Sequence, residues 1–133
     1  DPQGAFGTRL ALSVGMTTRQ DLGARAVRLS LALLELHRRA STKGSAYAHI
    51  ALQVFRSGTA IGANIEEGQA AHGRRDMASK YTLALREARE TEYWLRLLAQ
   101  DADLKADASV LRKEAGEFVA MLSVSVTKLR SRP

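Results

Sequence analysis

The two prolines of this 133-residue chain stand at its ends, Pro2 and Pro133, and nothing between them forbids long helices. Only 5% of the residues are aromatic, so strand formers are scarce as well. Apolar residues fill the interior at helical spacing. Leu22, Ala26, Leu29, Leu33 and Leu36 alternate by four and three, with Val27, Leu31 and Leu34 widening the stripe. A second stripe holds Tyr47, Ile50, Val54, Ile61 and Ile65. A third holds Met77, Tyr81, Ala84, Ala88, Thr91, Leu95 and Leu98, and a fourth runs from Leu104 or Ala108 through Leu111, Ala115, Phe118 and Leu122 to Leu129. The links HRRASTKGS, QAAHGRR and QDADLKADAS are short and polar, which turns each helix back on the one before it. The pattern predicts an all-α fold, an up-down-up-down antiparallel four-helix bundle, over residues 17–133. Thr18, with Asp21 three residues later, is the expected first N-cap. Residues 1–16 read as an expression remnant or disordered extension, with the start at Met16.

The second helix breaks a local rule. Gly58 and Gly62 lie inside it, and each costs about 1 kcal/mol relative to alanine. Four residues apart, they predict a smooth groove where a neighbouring helix approaches closely. Gly68 reads as the glycine that ends the helix. Arg56, Asn64 and Glu67 beside the groove, with Glu90 on the next helix, are expected to form a buried polar network that fixes register.

The spacing of Gln53, Arg56, Ile61, Asn64, Ile65, Glu67 and Gly68 resembles the signature helix of the 23S rRNA intervening-sequence protein family. Asp76, Ala84, Glu90 and Glu92 continue the match at corresponding offsets, and the likeness extends from about Asp21 onward. Ala60, Gly62, Glu66, Arg86 and Glu87 depart from the usual pattern. The resemblance implies a small four-helix bundle that assembles as a homopentamer. Similar bundles include the accessory variability protein of diversity-generating retroelements, which binds nucleic acid and a reverse transcriptase.

No motif points to catalysis, a cofactor or a metal. The glycine-rich GTAIGANIEEG lacks both the Lys-Ser ending and the preceding strand of a phosphate loop. His37, His49 and His72 are placed in a loop, on a helix flank and in another loop, without Glu-x-x-His spacing. Cysteine is absent, which removes disulfides and thiolate chemistry and is compatible with a reducing cytoplasm. What remains is charge: 20 Lys and Arg against 14 Asp and Glu, a net +6, which favours polyanions. Up-down topology gathers Arg19, Arg74, Arg75, Lys128, Arg130 and Arg132 at one end, the expected nucleic-acid-binding residues, with RNA favoured over DNA. At the other end, His37, Arg38, Arg39 and Lys43 meet Asp101, Asp103 and Asp107. Leu83, Trp94 and Leu97 fall outside the third stripe and predict an oligomer interface. The function expected is thus a noncatalytic, self-associating, cytoplasmic nucleic-acid-binding protein. Its rival is a structural or protein-binding oligomer with no nucleic-acid role.

Overall fold

The computed structural model describes residues 19–131, so the expected Thr18 cap, the segment 1–16 and Arg132 lie outside the described residues. Four helices follow one another: α1 Arg19–Ser41, α2 Ser45–Gln69, α3 Arg74–Leu98 and α4 Lys105–Arg130. Among the described residues there is no strand. Consecutive helices pack antiparallel, α2 closely against both α1 and α3, while the α1–α4 seam that closes the bundle is the loosest. The predicted stripes form the core, with Leu29, Leu33, Leu36, Ile61, Ile65, Leu95, Leu98, Leu111, Phe118 and Leu122 fully buried.

Two of the three links use one backbone device. Gly44 and Gly73, the residues before α2 and α3, have φ of 123° and 93° with ψ near extended, a conformation left to glycine. The third link has no glycine. There Asp101 Oδ2 accepts from the backbone N–H groups of Asp103 and Leu104 at 3.1 and 3.2 Å, so a side chain organises the turn into α4.

The glycines of α2 mark where helices come closest. A Cβ on Gly62 would lie 3.1 Å from Ala26 Cβ of α1, with the α1 backbone behind it. On Gly58 it would meet Leu33 Cδ1, and on Gly68 it would lie 2.6 Å from the Tyr81 ring of α3. Gly68 therefore does not end the helix as expected. It lies within α2, its φ is not positive, and it is buried where a rigid ring presses on it. Across the same α2–α3 seam, Ser57 donates to the Gln53 carbonyl and accepts from Thr91 at 2.9 Å, a buried polar pair inside an apolar contact.

Two further expectations need correction. His37 sits within α1, not in a loop, and its ring lies 5.5 Å from that of Phe55. Val27, Leu31 and Leu34 do not widen the core. They are 49–56% exposed because their spacing carries them to the side of α1 opposite Leu29 and Leu36.

These contacts order the glycine substitutions. Gly62→Ala gains helix propensity against a shift of a few tenths of an ångström and should stay within about 1 kcal/mol of the parent. Gly62→Leu and Gly68→Ala should each lose about 1–3 kcal/mol through overpacking. Urea unfolding measures all three, and a Gly68→Ala variant as stable as the parent would contradict the ring contact.

Candidate nucleic-acid interface

Antiparallel packing brings the start of α3 beside the end of α4. Arg74 Nη2 donates to the Lys128 carbonyl at 2.9 Å, and Arg130 Nη2 donates to Thr82 Oγ1 at 3.0 Å. These two contacts clip the helices together and leave Arg74, Arg75, Lys128 and Arg130 exposed. Arg19 opens α1 at the same end, but its side chain, like Arg132, lies outside the described residues. Sequence reasoning overlooked the carboxylates there. Asp21 in the first turn of α1, Glu66 and Glu67 late in α2 and Asp76 in the first turn of α3 are all exposed at this end. Asp21 and Asp76 suit the positive ends of their helices, so part of that negative charge answers backbone dipoles.

The opposite end is stitched by ion pairs between its predicted partners. Lys43 Nζ lies 3.1 Å from Asp101 and 2.7 Å from Asp103, tying the α1–α2 turn to the α3–α4 link. Arg39 pairs with Asp107, whose carboxylate is fully buried and whose Oδ1 has no hydrogen-bond partner among the described residues. Arg38 pairs instead with Glu35 of its own helix. Burial would push the Asp101 carboxyl up, but the Lys43 ammonium and two backbone N–H groups hold it below its ordinary value.

The expected buried network of Arg56, Asn64, Glu67 and Glu90 does not form within the chain. Arg56, Glu67 and Glu90 are exposed, and half-buried Asn64 donates to the carbonyl of Ala60 in its own helix. Arg56 and Glu90 instead surround half-buried Glu87, whose carboxyl is pushed up by burial and by the charge and hydrogen bond of Glu90. Of the other signature residues, Ile61 and Ile65 are core and Gln53 is half-buried.

The buried charge lies on the α1–α4 seam, at a residue sequence reasoning did not single out. Arg25 Nε and Nη2 each lie 2.7 Å from an oxygen of Glu114, a bidentate pair whose side chains are 4% exposed. Glu117 Oε1 lies 3.0 Å from Nη2, and the guanidinium carbon stands 5.7 Å from the Phe118 ring centre. The Glu114 hydrogen bond, against the opposing effect of burial, leaves the guanidinium even harder to deprotonate than usual. A signal existed, because Arg25 interrupts the Leu22–Leu29 stripe and Glu114 the Leu111–Phe118 stripe. Among the described residues, no group of three or more His, Asp or Glu is placed to hold a metal, and no helix is long and apolar enough to cross a membrane.

Leu83 and Leu97 are exposed on α3. Trp94 is half-buried, its ring stands edge-on to Tyr93 at 5.0 Å, and its Nε1 is buried with no acceptor among the described residues.

Two stability predictions follow from the seams. Arg25→Met should destabilise the bundle by about 3–5 kcal/mol by stranding Glu114, and adding Glu114→Leu should recover most of that loss. A double-mutant cycle by urea unfolding checks it; a single variant matching the parent would contradict the pair. The Asp101 tie should contribute above the ordinary carboxylate range, near pH 4, and fade as pH falls through its lowered folded value. Lys43→Met should therefore lower the melting temperature at neutral pH, with the difference shrinking in acid. A difference independent of pH would assign it to packing.

The 23S rRNA-intervening sequence protein model matches residues 20–124. A crystal structure from Bacteroides thetaiotaomicron, described as a protein of unknown function from the S23 ribosomal protein family, is 28% identical, covering 82% of this chain and 97% of that one with a TM-score of 0.73. No curated protein sequence matches the chain significantly. With the match spanning all but the edges of a bundle whose helices and core are those its stripes require, the chain belongs to the 23S rRNA-intervening sequence protein family.

Proposed function

We propose that this protein is a noncatalytic, self-associating bundle that binds nucleic acid, RNA in preference, through the end where α3 begins and α4 finishes. The observation that carries the reading is the convergence of exposed Arg74, Arg75, Lys128 and Arg130 from two clipped helices; α1 opens with Arg19 at the same end, and in the sequence Arg132 follows Arg130 by two residues. Such a cluster binds phosphates with little base preference. Self-association draws support from apolar patches on two diagonally opposite helices: Val27, Leu31 and Leu34 outside α1, and Leu83, Trp94 and Leu97 outside α3. Patches on opposite sides suit a heterologous contact, which forms a ring when its rotation closes, and the family resemblance favours closure at five copies. Cations repeated on one face of a ring would add multivalency.

The four carboxylates at the same end favour a second reading, a structural or protein-binding oligomer whose charges serve solubility. RNA binding separates the two. The parent should bind RNA at low salt with log K falling linearly in log salt concentration, and Arg74→Glu/Arg75→Glu should weaken binding while the helices remain. No binding by the parent at low salt, or unchanged binding by the folded and assembled double variant, ends the proposal. For assembly, light scattering should give a mass several times the 14.5 kDa of one chain. Trp94→Glu should reduce it, and a monomeric parent would refute self-association.

A further inference from the structure

The α3–α4 seam carries cations that the reading above leaves unused. On α3, Arg86, Arg89, Tyr93 and Arg96 succeed one another at intervals of three, four and three, and all are exposed. That spacing sets them in one line along the helix. On α4, exposed Lys105, Arg112 and Arg130 form a second line, seven and eighteen residues apart, which is two and five turns.

Two contacts show that the lines face one another. Arg130 reaches Thr82, which precedes Arg86 and Arg89 on the α3 line by four and seven residues. Glu92 lies against Gly116, four residues after Arg112, with Oε2 3.2 Å from where a Cβ would stand. Among the described residues of α3 and α4, Glu92 is the carboxylate set into the seam; Glu87 lies between Arg86 and Arg56 of α2 with Glu90 beside it, and Glu117 faces Arg25. Among the described residues, Arg89, Arg96, Lys105 and Arg112 form no ion pair and Arg86 has only its helix neighbour Glu87 close by, whereas Arg25 and Arg39 between α1 and α4 and Lys43 at the α3–α4 link are all paired. Unpaired cations repeated along two helices attract a linear polyanion.

Tyr93 decides which polyanion. It is 53% exposed, braced edge-on by Trp94, and flanked on its own line by Arg89 and Arg96. An exposed ring between cations is a platform for an unstacked base, which a duplex keeps inside and a lipid surface lacks.

We infer that the α3–α4 seam is a track for single-stranded nucleic acid, with phosphates on the two lines of cations and a base stacked on Tyr93. The inference rests on the nucleic-acid reading above and extends it. Arg130 belongs to both surfaces, so a strand leaving the basic end continues along the seam. Lys105 and Arg130 are about 38 Å apart at 1.5 Å per residue, room for several nucleotides.

The test uses the full chain and a fluorescently labelled, mixed-sequence single-stranded RNA, with the corresponding duplex and phosphatidylserine vesicles as competitors. Arg89→Glu/Arg112→Glu should weaken binding at least about tenfold and flatten the salt slope by about 1.4, two contacts on a single strand. Tyr93→Ala should lose about fivefold or more with the slope unchanged. Circular dichroism establishes that each variant is folded. If the seam variant binds as the parent does while Arg74→Glu/Arg75→Glu does not, the track is wrong and the basic end stands. If Tyr93→Ala binds unchanged, or duplex or vesicles displace the strand at equal or lower concentration, the single-strand assignment is overturned. If the parent binds no nucleic acid at low salt, both readings fall together.

Discussion

How near α2 comes to its neighbours sets the geometry of the molecule. Gly58 and Gly62 present no side chain to α1, and Gly68 presents none to Tyr81 of α3, so α2 is gripped from both sides. At that separation a serine and a threonine hydroxyl meet at 2.9 Å across the α2–α3 seam, sealed from water. The α1–α4 seam is built on the opposite plan. It is wide enough to hold a guanidinium, a carboxylate and a phenylalanine ring together, and it closes the bundle through electrostatics rather than proximity. The residues at the contact thus decide interhelical distance, as they do generally in helix packing.

Much of this was legible in the sequence, and the misses have physical causes. The stripes and the absence of internal proline gave four helices and nearly the whole core, because burial follows helical periodicity whatever the detailed packing. Gly58 and Gly62 were recognisable as close-contact sites because they break propensity without breaking the pattern. Gly68 was misread because a late glycine suits a helix end as well as a close contact, and only the Tyr81 ring distinguishes the two. Val27, Leu31 and Leu34 were misread because apolar character says nothing about which side of a helix is covered. Arg56, Glu67 and Glu90 looked like a buried network from their place beside the groove, yet the polar group that is buried there is the Ser57–Thr91 pair. Arg25 and Glu114 were visible as charges within apolar stripes, but their partnership depends on two helices 89 residues apart in sequence meeting.

Viewed around the bundle, the four seams differ in character more than the four helices do. The outer side of α1 is an apolar ridge, and the α2–α3 side collects Arg56, Glu67, Glu87 and Glu90, where carboxylates predominate. Among the described residues, the α3–α4 side carries exposed cations around a single carboxylate, Glu92, and the α1–α4 side holds the Arg25–Glu114 and Arg39–Asp107 pairs. A net charge of +6 is therefore a poor description of what a partner meets, because Arg25 and Arg39 are neutralised between α1 and α4 while exposed cations line the neighbouring α3–α4 seam. Orientation, rather than overall charge, governs what this protein can attract.

Trp94 is the chain's one tryptophan, and its ring rests against Tyr93, the ring assigned to the seam. Its indole N–H is enclosed with no acceptor among the described residues, its ring is fixed against Tyr93, and Leu97 lies three residues along the same helix. An indole's emission responds to the polarity around it, and a donor left unsatisfied in a low-dielectric setting is sensitive to any oxygen brought within reach. The fold thereby contains its own optical probe. Assembly over α3 and occupation of the adjoining seam would each alter the surroundings of a single chromophore, and the protein can report on both without a label.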